Sequence, residues 1–315
     1  MVTIESNIEV RSRERHPKVE NFLNLLKLFL KNKTALSGMI ISIVYFILAA
    51  LDYIYPQYLG VNNLDSMIVF LKGQPVGSFL PTPPTLSNGW WYYFGTTEYE
   101  IPIFPAMLAA LKYDIGFSIV IVLIGTVIGT IGGAIAGYMG GYIDGLIMRI
   151  TDIFLSVPLI VLAIAVTFFL GSTFIDLVFA LIIVSWPMYA RLSRGVALSV
   201  RSSQFNMAAI ASGSSRIRNV FVHVIPNILS PVLVQMSLSV GRVIIIFAAL
   251  YYLSIVRGNP YLPELGNMMV MGQNYLADGI WWPVVIPGVF LVIFVTALNL
   301  MGDGLRDVLD PRMRS

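Results

Sequence analysis

Long stretches without any charged side chain dominate this chain. Four of them contain 18, 29, 23 and 24 residues and cover 34–51, 115–143, 153–175 and 279–302. A helix needs about 20 apolar residues to cross the hydrocarbon core of a bilayer, so each stretch is a candidate membrane span. Only 12% of the residues are charged, about half the share in a soluble domain, so the chain cannot cover a water-facing globule.

Two further segments complete a set of six predicted spans. The segment 177–190 is short, but Arg191 and Arg194 can extend their charges to the interface at its end. The segment 231–256 is long enough to cross, although Arg242 lies near its middle. We therefore predict an all-α polytopic membrane protein with spans at about 34–53, 115–138, 153–171, 175–195, 229–256 and 281–301.

The basic residues predict which ends of the spans face the cytosol. With six spans and a cytosolic N-terminus, sixteen Lys and Arg residues fall in cytosolic segments, and only Lys72, Lys112 and Arg257 fall in outer segments. Positively charged residues accumulate in the cytoplasmic loops of membrane proteins. The expected segments are a cytosolic N-terminal tail (1–33), an extracellular segment (54–114), a five-helix core (115–302) with a cytosolic loop (196–227), and a cytosolic C-terminal tail (303–315).

The composition excludes several classes of chemistry. The chain has no Cys and only two His, too few for an ordinary catalytic zinc site, and no segment has the phosphate-binding pattern GxxxxGK[ST]. A membrane-embedded enzyme is rejected because His223 has no nucleophile or carboxylate near it in the sequence. We expect no catalytic residue, metal ion or cofactor, and no nucleic acid as a partner; the lipid bilayer is the expected surrounding.

The second predicted span contains a row of glycines. Gly125, Gly129, Gly133, Gly137 and Gly141 recur every fourth residue, which places them on one face of a helix. Close packing against another helix of the same chain is the favoured interpretation. An interface with a second membrane subunit stays open as the alternative.

Charged residues inside the spans are scarce. A buried charge such as Arg242 usually faces a partner or a water-filled cavity, so a structural pairing and a contact with a permeating solute are both open. Carriers driven by ions usually bury acidic groups, but no acidic residue occurs between Asp176 and Glu264, and none is predicted in the middle of another span. A stand-alone carrier or channel, which would also need internal repeats, is therefore the weaker alternative.

Two segments outside the spans have distinctive patterns. The segment 19–30 predicts an amphipathic helix along the inner membrane face, or an inner extension of the first span. Prolines punctuate 52–114, so we expect no long regular element there. The aromatic run at 90–94 fits an interfacial belt better than a surface for an external partner or solute.

The cytosolic loop has a pattern of its own. We predict a short helix at Gln204–Ala211, a break around Gly213 and a second helix beginning at Arg216, after which Pro226 and Asn227 turn the chain back into the membrane. Such a projection lacks a nucleophile, a metal-ligand set and a phosphate-binding loop, so it suits docking better than chemistry. The alternative is a solvated basic loop that only enforces topology.

This loop resembles the cytosolic signature of ABC-importer permeases. Met207-Ala208-Ala209, Gly213 and the segment 223–227 match Glu-Ala-Ala, three residues, Gly and a later Leu-Pro. The closing segment 302–312 is similar to the end of the C-type subunit in the dipeptide/oligopeptide/nickel family. Further segments similar to this family are 29–35, 136–141, 148–158, 185–194 and 266–268.

The resemblance implies a type I ABC importer transmembrane fold in a multi-pass protein of the cell membrane, with both termini cytosolic. Members pair with a homologous B-type permease, bind two ATPase subunits and receive cargo from an external solute-binding protein. It also implies a coupling helix that docks on an ATPase. The residues implied for ATPase coupling are Met207, Ala208, Ala209, Ala211, Gly213, Ser214 and Ser215, with support from His223, Pro226 and Asn227.

The chain departs from the family pattern at three positions that matter for function. Met207 replaces the acidic residue of the signature, Phe247 stands where a Glu is common in the fifth helix, and Arg242 stands where a small residue is usual. Arg242 and Phe247 are therefore candidate pathway residues. The resemblance favours oligopeptides as cargo, while the aromatic outer segment and the replaced Glu keep oligosaccharides open; nickel is a further family cargo.

Overall fold

The computed structural model of the chain describes residues 27–54, 80–86, 92–98, 101–256 and 264–309. Helices dominate this part of the chain, and its only strand-like pairing is an isolated bridge between Thr96 and Pro102. The helices, in chain order, are α1 (Lys33–Ile54), α2 (Ile103–Met139), α3 (Gly141–Ser156), α4 (Leu159–Leu170), α5 (Phe174–Arg201), α6 (Gln204–Ala211), α7 (Arg216–Asn219), α8 (Ile225–Tyr252), α9 (Leu265–Gln273) and α10 (Trp282–Leu309).

The number of candidate spans agrees with the sequence prediction. Five helices are long and apolar enough to cross a membrane: α1, α2, α5, α10 and the continuous helical segment Arg216–Tyr252, which contains α7 and α8. A bent pair formed by α3 and α4 is the sixth candidate. The all-α class predicted from the sequence is therefore confirmed.

The third span differs from the prediction of one helix at 153–171. The helix axes of α3 and α4 meet at 97°. Val157 is extended, with φ −99° and ψ 136°, and Pro158 follows with φ −53° and ψ 131°. A proline disfavours the helical conformation of the residue before it and removes a backbone donor, so the helix ends there and a new one begins at an angle.

The second span begins twelve residues earlier than predicted, at Ile103 rather than Ile115. Lys112 and Asp114 end the uncharged run in the sequence, but they do not end the helix, because Asp114 is buried against the chain instead of standing in water. The expectation of no long regular element in 52–114 is therefore wrong for the part that begins α2.

The glycine row packs α2 closely against α5, as the favoured interpretation predicted. A methyl group added at Gly133 would lie 2.8 Å from the carbonyl carbon of Ala190 in α5, and one added at Gly137 would lie 2.6 Å from the carbonyl oxygen of Arg194. Gly141 does not belong to this row. Gly140 and Gly141 have φ of +69° and +59°, a left-handed conformation that glycine adopts without steric cost, and they form the junction at which α2 ends and α3 begins.

Two apolar cores share α2. One lies between α2, α5 and α8 and includes Tyr138, Leu181 and Tyr251. The second lies between α1, the first half of α2, α9 and α10, with Leu108 and Phe294 fully buried. Because α2 contributes to both cores and packs on α5 along much of its length, a displacement of α2 would disturb both cores and α5.

The first and last helices meet at one end of the bundle. Asn32 caps α1, since its Oδ1 accepts hydrogen bonds from the N–H groups of Thr34 and Ala35, both at 3.2 Å. Its amide also donates to Asp307 in α10 at 3.4 Å. This end, which we call the basic end, also carries α6 and exposes Lys27, Lys31, Lys33, Arg201, Arg216, Arg218 and Arg306.

Candidate functional site

The loop between α5 and the helical segment 216–252 forms a projection at the basic end. The predicted helix Gln204–Ala211 is confirmed with the same bounds. Ser215 caps α7, because its Oγ accepts a hydrogen bond from the N–H of Arg218 at 3.3 Å. The order of short helix, turn and second helix inferred from the sequence is therefore present.

Gly213 makes the turn between α6 and α7. Its φ is +83°, which side-chain-bearing residues rarely adopt. Its N–H donates to the carbonyl of Ile210 at 2.9 Å, and the next N–H, that of Ser214, donates to the carbonyl of Ala209 at 3.0 Å. Nothing lies within 4 Å of a methyl group placed at Gly213, so the backbone conformation alone requires a glycine here.

The outer surface of α6 is apolar and open. Phe205, Met207 and Ile210 are 50%, 55% and 51% exposed. Successive residues of a helix are about 100° apart, so Phe205 projects on the side nearly opposite Met207 and Ile210. We call these three exposed side chains together the apolar face of α6. Ala208 and Ala211 are exposed beside them, and Ala209 is half-buried. An apolar patch on a water-facing loop marks a site of interaction with another molecule.

A buried hydrogen-bond network fastens the inner side of the loop. The hydroxyl of Tyr138, at the end of α2, donates to Oδ1 of Asn206 at 2.9 Å and accepts from Nδ2 of Asn219 at 3.0 Å. The Asn206 amide donates to the carbonyl of Arg201 at 2.9 Å, and Ser214 Oγ donates to Asn219 Oδ1 at 2.5 Å. The network thus joins α2, α5, α6 and α7.

Sequence reasoning missed this network. Asn206 and Asn219 are both fully buried and Tyr138 is 3% exposed. One signal was available: two uncharged amides interrupt otherwise apolar positions of the loop, where asparagine is a poor helix former. Their partner is 68 and 81 residues away in the chain, so the sequence pattern could not supply it.

The expected turn at Pro226 and Asn227 is wrong, because the chain remains helical from Arg216 to Tyr252. A π-helical turn at Val220–Val224 precedes Pro226, and the N–H of Ile225 bonds to Val220 five residues back. This wider turn changes the bonding register just before the proline, which has no N–H to donate. The side-chain amide of Asn227 also donates to the His223 carbonyl at 2.7 Å.

Ion pairs fix the bent third span to α5 near the basic end. The guanidinium of Arg194 makes two parallel hydrogen bonds to the carboxylate of Asp144, with Nε–Oδ1 at 2.5 Å and Nη2–Oδ2 at 2.7 Å. Arg191 pairs with Asp152 on the same helix, α3. A two-pronged arginine–carboxylate pair is geometrically specific, so α3 follows the position of α5.

The two candidate pathway residues lie in different environments. Arg242 is exposed on this chain, and its Nη1 lies 3.1 Å from the sulfur of Met188. Its neighbours in a shallow cleft include Ser185 and Ser239. Phe247 is 2% exposed and packs in the core, with its ring 5.7 Å from that of Phe174 and 5.6 Å from that of Tyr251. The pathway role of Phe247 therefore stays a prediction that its surroundings do not favour.

Two acidic side chains are buried together near the opposite end of the bundle. Asp114 lies inside α2, contrary to the expectation that no span buries an acid, and its Oδ2 accepts from the N–H of Leu265 at 3.4 Å. Glu264 Oε2 accepts from the N–H of Asn267 at 2.6 Å and caps α9. Each carboxyl thus accepts a hydrogen bond from the first turn of α9, where the helix dipole favours negative charge. Burial raises the pKa of Glu264 to about 7.

Within the described ranges, no three His, Cys, Asp or Glu side chains come together as a metal site would require. The arrangement at the basic end offers a surface and a mechanical connection instead. It presents an exposed apolar helix face that is fastened through a buried network to the end of a long span.

Comparison with known proteins gives a consistent result. The family described as binding-protein-dependent transport system inner membrane component matches residues 129–315. A di/tripeptide transport system permease protein, DppC, of Pseudomonas aeruginosa is 33% identical over 75% of this chain and 78% of its own length. A probable D,D-dipeptide transport system permease protein, DdpC, of Escherichia coli K12 is 38% identical over 73% and 75%. The dipeptide transport system permease protein DppC of the same strain is 34% identical over 91% of both chains.

Proposed function

The chain belongs to the family of binding-protein-dependent transport system inner membrane components, the permease subunits of ABC importers, and on that premise we propose that it forms half of an import pathway for peptides. As a member of this family it is a multi-pass membrane protein, and ATPase and solute-binding proteins are its partners. The permeases most similar to it include C-type subunits named for dipeptide or tripeptide transport, which supports peptides as the cargo.

The observation that carries this proposal is the exposed apolar face of α6. Phe205, Met207 and Ile210 remain about half exposed within the described part of the chain, although the Phe205 ring lies 6.1 Å from that of His223, and they project at the end where basic residues collect. We assign this face to an ATPase subunit. The family signature has an acidic residue where this chain has Met207, so the contact is apolar rather than ionic. Gly213, Ser214 and Ser215 set the angle at which the face is presented.

Arginines surround this docking face. Arg216 and Arg218 are exposed on the loop and have no ion-pair partner within the described residues, and Arg201 is exposed at the end of α5, where Asp144 attracts it. A groove on the ATPase that receives α6 is therefore expected to have an apolar floor and acidic edges. Charged edges guide encounter and orientation, while the apolar centre supplies most of the affinity.

Arg242 supports a second permease subunit. It lies in the middle of a predicted span, it is exposed on this chain, and no carboxylate of the described residues pairs with it. A guanidinium facing lipid at that depth is costly, so this face of α8 is covered by another subunit or by a wet pathway. We propose that a homologous B-type permease covers it and that Arg242 faces the pathway between the two chains. There it can attract the carboxylate that every free peptide carries.

Uptake by the reconstituted complex tests the proposed function. The chain is co-purified with its companions, reconstituted in liposomes with ATP inside, and supplied with a radiolabelled tripeptide and the external binding protein. We expect uptake of the tripeptide that requires ATP and the binding protein. ATP-dependent uptake of an oligosaccharide but not of the peptide would overturn the assigned cargo. Uptake without ATP would overturn the importer itself.

A further inference from the structure

The buried network at Tyr138 is the polar connection between the docking helix and the rest of the described chain. Of the eight residues of α6, only Asn206 is buried. The remaining side chains of this helix are exposed or partly exposed, so they hold it weakly against the bundle. A force applied to the apolar face of α6 can therefore reach the membrane part of the chain by three routes. These are the backbone at either end of the helix, the side chain of Asn206, and the contact of the exposed Phe205 ring with that of His223, whose centroids are 6.1 Å apart.

The side-chain route leads directly to α2. Asn206 receives the hydroxyl proton of Tyr138, and the same hydroxyl oxygen accepts from Asn219 at the end of α7. One phenol thus holds the helix before the Gly213 turn and the helix after it. The side-chain amide of Asn206 also donates to the carbonyl of Arg201, and that of Asn219 also accepts a hydrogen bond from Ser214. Buried polar groups with all their partners present define one arrangement, because any other leaves a group unpaired.

From α2 the connection continues into the membrane. Tyr138 is the penultimate residue of α2, and the four glycines upstream of it hold α2 against the backbone of α5. A shift at the Tyr138 end cannot be absorbed by a loose interface there, since the helices already touch through backbone atoms. It must move α2 and α5 together.

We propose that Tyr138, Asn206 and Asn219 form a polar latch that transmits movement of the docked α6 to the α2–α5 pair. They are positioning residues: they touch neither nucleotide nor cargo, and they act through α6. The inference rests on the proposed function, because it needs an ATPase partner that moves α6. It goes beyond that function by naming the side chains through which the movement passes.

Tyr138→Phe is the central test, because it removes one hydroxyl and leaves the ring in its pocket. We measure ATPase binding, binding-protein-stimulated ATP hydrolysis and peptide uptake on the same reconstituted complex. If the latch transmits the movement, the ATPases should remain bound and hydrolyse ATP in this variant, while peptide uptake per ATP falls by about fivefold. A fivefold change corresponds to a coupling free energy of about 1 kcal/mol.

Asn206→Leu is the second variant, and Ser212→Ala is the matched control. Asn206→Leu removes the link to α6 but keeps the link between Tyr138 and Asn219, and it is expected to have the same effect. Ser212 also carries a hydroxyl in this loop, but it is exposed and bonds only to the carbonyl of Ala208, so its loss should change nothing.

Three outcomes contradict the latch. Unchanged uptake per ATP in both Tyr138→Phe and Asn206→Leu would show that the backbone or the Phe205 contact carries the movement. Loss of ATPase binding in these variants would make the network a scaffold for docking rather than a transmitter. If wild-type complex shows no ATP-dependent uptake, the proposed function fails and the latch fails with it. The first two outcomes, obtained beside an active wild-type complex, overturn the latch only.

Discussion

Replacing Gly133 by alanine tests the close contact between α2 and α5. A methyl group at this position would lie 2.8 Å from the carbonyl carbon and 2.9 Å from the Cα of Ala190, and closer still to the carbonyl oxygen. Ordinary contacts begin near 3.4 Å, so the carbonyl carbon alone requires the two helices to separate locally by about 0.6 Å, and the carbonyl oxygen requires more. Because every obstructing atom is backbone, no side chain can rotate out of the way.

The cost follows from the two opposing effects of the methyl group. Overpacking a tight interface costs about 1–3 kcal/mol, and the upper value applies where the obstacle is backbone. Alanine gains about 1 kcal/mol over glycine in a helix, which leaves a net loss of about 2 kcal/mol. At about 2 °C per kcal/mol for a chain of this size, the unfolding temperature should fall by about 4 °C.

Gly132→Ala is the matched control, because the neighbouring glycine has nothing within 4 Å of an added methyl group. It should raise the unfolding temperature by about 2 °C through helix propensity alone. Gly125→Ala should lie between the two, since the atom nearest to its added methyl group is the hydroxyl of Ser185, which can rotate away. Intrinsic tryptophan fluorescence during heating in detergent measures all three variants. Equal unfolding temperatures for Gly133→Ala and Gly132→Ala would refute the backbone contact.

Three further predictions concern the turn, the pathway and the buried acids. Gly213→Val should cost about 1–2 kcal/mol of local strain at φ +83° and reduce peptide uptake per ATP, whereas Gly213→Asn should retain most of it; equal uptake by both variants would contradict the turn argument. Arg242→Leu should leave the unfolding temperature of the isolated chain unchanged and lower peptide uptake by the complex; normal uptake with reduced stability would assign Arg242 to packing instead. Burial raises the pKa of Glu264 from 4.5 to about 7, so the folded chain holds a proton that the unfolded chain releases, and stability should decline between pH 4.5 and 7. Glu264→Gln should flatten that decline in unfolding temperature, and an unchanged slope would place its origin elsewhere.

The uncharged stretches predicted most of the helices because a long apolar run has few alternatives to a membrane helix. Gln204–Ala211 was predictable as well, since polar and glycine-containing turns flank it on both sides. The glycine row indicated a packing face, because residues four apart share one side of a helix. In each case neighbouring residues in the sequence determine the structural feature, so their spacing alone is enough to predict it.

The start of α2 could not be read in the same way. Charge marks the end of a span only when the charged side chain stands in water, but Asp114 is buried at the N-terminus of α9, more than 150 residues away in the chain. Pro158 and Pro226 show a similar limit. The first proline bends a span by 97° and the second lies within a continuous helix, because a π turn precedes it. The proline alone does not distinguish these outcomes.

Tertiary contacts also decide the roles of single residues. The sequence treats Arg242 and Phe247 alike, as two departures from a family pattern on the same helix. In the structure their side chains point in different directions: Arg242 is exposed in a cleft, whereas Phe247 is enclosed between aromatic rings. Tyr138, Asn206 and Asn219 remained unrecognised because their importance comes from bonds that join distant segments.

The most direct test of the central claim is affinity purification of the tagged chain from its native membrane in a mild detergent, with mass spectrometry of its companions. A permease subunit of an ATP-driven importer should be recovered with a second, homologous permease and two P-loop ATPase subunits in fixed proportion. Replacing Met207 by a charged residue on the apolar face of α6 should remove the ATPases and leave the second permease bound. Recovery of the wild-type chain alone, able to move peptides in liposomes without ATP, would contradict the account.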